Sequence, residues 1–217
     1  AFLGKGRTLE AAANLEWVAR QGGASGQSFL LLGDIYLNEG MSPLAVRAYE
    51  AALESSEPGA DRLLTVVDNL FTRGATGQAQ TFLETVREAL EGSLPEDQEL
   101  RALNLEAQLA LAEGRRDEAA GLLRSIIERD PLNGAALISL GDYYRDTGKT
   151  EEAVLQYERA TRIEEVEVRA LHALARMHVA RKDYQEALHF LSEAQAIEPR
   201  PYVADYIEQL ERVVRSL

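Results

Sequence analysis

The sequence predicts an all-α fold built from antiparallel helix pairs, on three observations. The composition favours helix, a short word ending in alanine recurs at a near-constant interval, and an apolar stripe precedes each word. Ala, Leu, Glu and Arg dominate, while Val, Ile and Thr are sparse. Unbranched side chains lose little rotamer freedom in a helix. The chain has 217 residues and is 46% apolar, enough for one or two ordinary domains or one repeat array.

The words are Gly6-RTLE-Ala11, Gly40-MSPL-Ala45, Gly74-ATGQ-Ala79, Gly114-RRDE-Ala119, Gly148-KTEE-Ala153 and Lys182-DYQE-Ala187. Their alanines step by 34, 34, 40, 34 and 34 residues, and an insertion, SLPEDQ, at Ser93–Gln98 explains the long step. Each glycine suits a left-handed turn just past a helix. Lys182 takes the glycine's place in the last word, so that turn is expected to be strained or differently shaped. Thr8, Ser42, Thr76 and Thr150 are expected to cap the following helices, with Pro43 at the first helical position. Glu10, Glu151 and Glu152 fall in first turns, where they suit the helix dipole.

The helix before each word is patterned too. FLLLGDIY (Phe29–Tyr36) and LISLGDYY (Leu137–Tyr144) are nearly one segment, and LNLEAQLA and LHALARMH share their phase. Each stripe holds one small residue: Gly33, Ala107, Gly141 or Ala175. The second helix supplies another (Ala45, Ala79, Ala119, Ala153 or Ala187), with a large residue four positions on (Tyr49, Leu83, Leu123, Tyr157 or Leu191). Small residues let helix axes approach to roughly 8 Å while large ones interlock beside them.

This pattern resembles the tetratricopeptide repeat: Leu32-Gly33…Tyr36 with Ala45…Tyr49, Leu140-Gly141…Tyr144 with Ala153…Tyr157, and Ala119…Leu123…Pro131 with Ala187…Leu191…Pro199. Departures exist. Val67 stands where a small residue is expected, and the family's usual tryptophan is missing from the first helices. Trp17 lies in a second helix. The resemblance implies one array over 1–217 that winds into a right-handed superhelix, an α-solenoid. It starts with a partial repeat at 1–25, mainly a second helix. Five repeats follow at 26–59, 60–93, 100–133, 134–167 and 168–199, with the insertion taken as 94–99. An amphipathic capping helix closes it at 200–217, with Val203, Tyr206, Ile207, Leu210, Val214 and Leu217 on one stripe.

Projected backwards, the period puts Ala1–Lys5 in the last turn of a helix whose start is absent. The expectation is a fragment of a longer bacterial-type member of the family, with Phe2 and Leu9 uncovered and self-association possible through that face.

In the family, first helices line a concave surface. The resemblance therefore implies a partner-binding groove at Leu30, Asp34, Leu37, Leu64, Asp68, Phe71, Arg101, Asn104, Gln108, Leu111, Asp142, Arg145, Arg169, His172 and Arg176. Apolar anchors are expected against Leu37, Leu64 and Phe71, and an acidic tail against Arg101, Arg145, Arg169 and Arg176. The bland reading pairs those arginines with Asp142, Asp146 and helical neighbours. The family's subset that grips C-terminal carboxylates through fixed Lys and Asn residues is not matched.

The function so implied is a non-catalytic protein–protein interaction module binding a peptide or partner protein. The alternative is a structural arm of a larger assembly, or of an enzyme whose catalytic domain lies outside these residues. A net charge of −13 argues against nucleic-acid binding and against docking on anionic membranes. No run approaches a membrane span. With no cysteine, disulfides and thiolate sites are excluded. Gly148-Lys149-Thr150 mimics the end of a phosphate loop, but the glycine required five residues earlier is Tyr143. His172, His178 and His189 are spaced 6 and 11 apart, which suits no shared metal. No cofactor is expected.

Overall fold

The computed structural model describes residues 7–56 and 58–216. Among them are twelve helices and no strand. Two compact units form, Ala1–Arg115 and Arg116–Leu217. The division falls between the two helices of the repeat expected over 100–133.

The first unit holds α1 (Thr8–Arg20), α2 (Gly26–Asn38), α3 (Ser42–Ser55), α4 (Ala60–Thr72), α5 (Thr76–Ala89) and α6 (Glu96–Ala112). α2 packs on α3 and α4 on α5, and α6 then packs on both α4 and α5. The second unit holds α7 (Arg116–Arg129), α8 (Gly134–Asp146), α9 (Thr150–Ala160), α10 (Glu167–Arg181), α11 (Tyr184–Ile197) and α12 (Pro201–Ser216). There α8 pairs with α9 and α10 with α11, and α12 packs on α11.

The small residues do the expected work. Ala45, Ala79, Ala119, Ala153 and Ala187 are completely buried. At Gly33 a Cβ would lie 2.4 Å from the Tyr49 ring, and at Gly141 it would lie 2.5 Å from the Tyr157 ring. Both tyrosines are fully buried. The rings fill the space that the glycines leave, so neither partner can grow.

The tight turns share one closure. Met41, Ala75, Arg115, Lys149 and Asp183 each donate a backbone N–H to the carbonyl five residues back, at 2.8–2.9 Å. In the first four the residue before is a glycine with φ near +75°, and in the last it is Lys182 at φ 64°. Lys182 therefore keeps the common turn shape and carries its strain.

This closure corrects the expected caps. The residue that closes four of these turns is also the N-cap of the next helix: Met41, Ala75, Lys149 and Asp183. Ser42, Thr76 and Thr150 are thus already the first helical residues, and Thr8 likewise follows its N-cap Arg7, so none of the four occupies the capping position. Pro43 moves to the second position. Side-chain caps occur instead between repeats. Ser25 and Ser28 form a reciprocal capping box, and Asn133 accepts the Ala136 N–H at 3.0 Å.

Half of the insertion lengthens a helix. α6 begins at Glu96 and runs 17 residues, against 13 for α2 and α4. Arg87 of α5 ties the longer helix down through Glu99 and, at 2.5 Å, Glu106.

Ala1–Lys5, with Phe2 and Gly6, lies outside the described residues, as does Leu217. Leu9 is 46% exposed and Trp17 65%. Among the described residues no helix is long and apolar enough to cross a membrane, and no three His, Asp or Glu side chains are grouped to hold a metal ion.

Candidate functional site: the first-helix faces

In the first unit the candidate face is largely occupied by the protein itself. Asp34 on α2 accepts the Tyr49 hydroxyl at 2.9 Å and the Arg62 guanidinium at 2.5 Å on both carboxylate oxygens. Burial, then the Asp34 charge, pushes the Tyr49 phenol well above its ordinary range. Leu37 and Leu64, expected as groove anchors, are buried in the core with 4% and 0% exposure. α4 packs against both α5 and α6, so more of its circumference is covered than a single stripe. Leu37 joins the same core cluster and offers no anchor surface. Leu30, Asp68 and Phe71 are half-buried. Arg101 is bound to Asp61 at 2.5 Å and to the Thr65 hydroxyl at 3.0 Å. Asn104 bonds its own helix at the Leu100 carbonyl, while Gln108 and Leu111 are exposed.

In the second unit the same device recurs on α8 and α9. Asp142 accepts the Tyr157 hydroxyl at 2.8 Å and Arg145 at 2.6 Å. Arg145 also grips Asp146 at 2.8 Å, as the bland reading of that arginine expects. Burial, then the hydrogen bond to Asp142, raises the Tyr157 phenol.

Beyond Asp142 the face opens. A hollow of about 420 Å³ is lined by Ile138 and Asp142 of α8, Arg169, His172, Ala173 and Arg176 of α10, Leu191 of α11, and Tyr202, Val203 and Tyr206 of α12. Arg169 and Arg176 are exposed and His172 half-buried. Among the described residues neither arginine has a hydrogen-bond or ion-pair partner. Burial, then the Arg176 charge, holds the His172 imidazole below its ordinary pKa. The second unit thus brings Asp142, Arg169, His172 and Arg176 to one hollow and spends Arg145 on internal pairing.

Tyr202 and Tyr206 are missing from the sequence-based site. Sequence pattern alone points to no role for Tyr202 and places Tyr206 on the stripe expected to pack. Val203 and Leu210 are the buried members of α12, while Tyr206 remains 41% exposed and Tyr202 65%. Their signal was available in the spacing: they stand four apart, one helical turn, beside the buried stripe. His178 is mostly buried and its ring lies tilted against Phe190 at 5.4 Å, with Nδ1 3.7 Å from Asp183.

The chain matches the family model for the tetratricopeptide repeat at residues 1–61, 104–165 and 140–202. No curated protein matches it. Among solved structures it is similar to the pilF product of Pseudomonas aeruginosa, with 16% identity, 94% of this chain and 90% of that one covered, and a TM-score of 0.61. It is also similar to YrrB, described as a tetratricopeptide protein with an unusual peptide-binding site (15% identity, 91% and 99% covered, TM-score 0.62). A third is MamA from Desulfovibrio magneticus RS-1 (16% identity, 80% and 94% covered, TM-score 0.62). These likenesses establish the fold, and the family match extends over more than half of the sequence. With its helix pairs nested through Gly33, Gly141 and five buried alanines, the chain belongs to the tetratricopeptide-repeat family.

Proposed function

We propose that this chain is a non-catalytic protein–protein interaction module that takes a linear segment of its partner against the first-helix faces. The observation that carries this reading is the open hollow of the second unit, where polar and cationic side chains share one recess with exposed tyrosines. Ligand recesses typically combine an apolar floor with a few convergent polar groups. In the first unit, Leu30, Asp68, Phe71, Gln108 and Leu111 remain as candidate contacts, while Leu37 and Leu64 serve the core. YrrB, with its unusual peptide-binding site, shares the fold and lends support by analogy alone.

The test is selection of binding peptides from a random displayed library on the full chain. Selected peptides should lose binding to Tyr206→Ala and to the Arg169→Glu/Arg176→Glu double variant. They should keep it in Leu155→Asp, on the exposed side of the second helix α9. Binding insensitive to the hollow but lost in Leu155→Asp favours the structural-arm reading.

A further inference from the structure

Resting on that reading, we propose that the hollow of the second unit selects an internal acidic segment bearing an aromatic or branched apolar side chain, and that His172 takes up a proton as the segment seats. Arg169, His172 and Arg176 stand three and four residues apart, so they share one face of α10. The chain carries a net charge of −13, yet here two guanidiniums without partners among the described residues border one recess. Their forked donors match a carboxylate's two oxygens. From Arg169 to Arg176 the rise is about 10 Å, which an extended chain covers in about three residues. That span suits side-chain carboxylates distributed along a strand better than one terminal carboxylate.

Apart from Asp142, the remaining lining is apolar or aromatic. Tyr202 and Tyr206 line the recess from α12, with Ile138, Leu191 and Val203 among its other lining residues. Rings this exposed gain most by burying a large apolar side chain while their hydroxyls stay wet.

His172 sits among the cations. The groups around it are Asp142 from α8, Arg169 and Arg176 on its own helix, Glu198 and Arg200 from the connection after α11, and Tyr202 and Tyr206 from α12. Asp142 is already held by Tyr157 and Arg145. Burial disfavours the imidazolium first, then Arg176, with Arg200 adding and Glu198 opposing. A seated carboxylate offsets the arginine charge and favours the imidazolium, so binding and proton uptake are linked.

The experiment uses the full chain and a synthetic peptide array with amidated C-termini. Acidic, neutral and basic sequences each carry one phenylalanine, leucine or alanine. Acidic peptides with phenylalanine or leucine should bind best, and weaken about tenfold or more in Arg169→Gln/Arg176→Gln. Affinity should rise as pH falls from about 7.5 toward 5.5, by at most about tenfold per pH unit. That rise should vanish in His172→Gln and persist in His189→Gln, whose imidazole lies outside the recess beside Glu193. Tyr206→Ala should abolish the preference for phenylalanine over alanine. Preference for neutral or basic peptides, binding only with a free C-terminus, or affinity independent of pH overturns the inference. If hollow-sensitive peptides are basic, the module reading stands and only this inference falls. If no bound peptide responds to hollow substitutions, both fall.

Discussion

The pair α2–α3 and the pair α8–α9 are built alike and end differently. Each places a tyrosine ring on a glycine and aims its hydroxyl at the aspartate that follows that glycine. In α2–α3 the aspartate is then closed by Arg62, which reaches in from α4. In α8–α9 the closing arginine, Arg145, comes from the same helix. The helix after that pair, α10, is left with Arg169 and Arg176 uncommitted beside the recess. One mechanical unit therefore yields a self-satisfied face in the first unit and an open cationic one in the second. The repeat fixes the scaffold, and single charged positions decide what a face has left to offer.

The most damaging way to break the shared device is to remove its ring. Tyr49→Ala and Tyr157→Ala should each cost about 3–5 kcal/mol by urea unfolding, since a large buried side chain leaves a cavity. A loss under about 1 kcal/mol in either would mean that the two pairs are not equivalent. Adding a methyl on the facing side is milder. Gly33→Ala and Gly141→Ala should each cost about 1–3 kcal/mol, because the added carbon overlaps a ring held on all sides. Pairing Gly141→Ala with Tyr157→Leu should recover part of that loss.

Smaller effects sharpen the contrast at the turns and charges. Lys182→Gly should raise stability by about 1 kcal/mol, since glycine adopts the left-handed turn without penalty. Arg62→Ala should cost no more than ~1 kcal/mol, because the pair with Asp34 is more than a third exposed on both sides. Arg169→Gln and Arg176→Gln should change the melting temperature within error while altering binding. Such a result separates a side chain kept for a partner from one kept for the fold.

Alkaline titration reads the device from the other direction. Burial, then Glu16, pushes the Tyr36 phenol up to about 12, and Tyr49 and Tyr157 are raised by burial and their aspartates. A raised folded pKa means stability fully present below the ordinary value of 10.0 and lost as pH climbs through the folded one. Of the eight tyrosines, these three should ionise only as the chain unfolds, giving a second, cooperative absorbance step that Tyr49→Phe diminishes.

Much of the fold was legible because Ala45, Ala79, Ala119, Ala153 and Ala187 mark the register directly. The caps lie one residue earlier than the sequence pattern suggests. The five-residue backward hydrogen bond at Met41 or Lys149 also starts the next helix, and this compact closure has no signature beyond the glycine. Leu37 and Leu64 belong to the core rather than to a groove for a geometric reason. A first helix in a stack is covered by more than its own partner, so an apolar residue beside the main stripe is buried as well. Arg101 could be read as a cation but not as a spent one, because its Asp61 partner lies 40 residues away in sequence, whereas the pairing of Arg145 with its neighbours Asp142 and Asp146 was legible. Tyr202 and Tyr206 were visible in the letters. Their role needed the recess that α10 and α12 enclose.

The central claim, that the two similar faces differ in available charge, is tested most directly by nuclear magnetic resonance of the arginine side chains during titration with an acidic, phenylalanine-bearing peptide. The guanidinium signals of Arg169 and Arg176 and the ring of His172 should shift together and saturate, while Arg62 and Arg101 stay still. Movement of Arg62 or Arg101 with Arg169 and Arg176 unmoved would contradict the account.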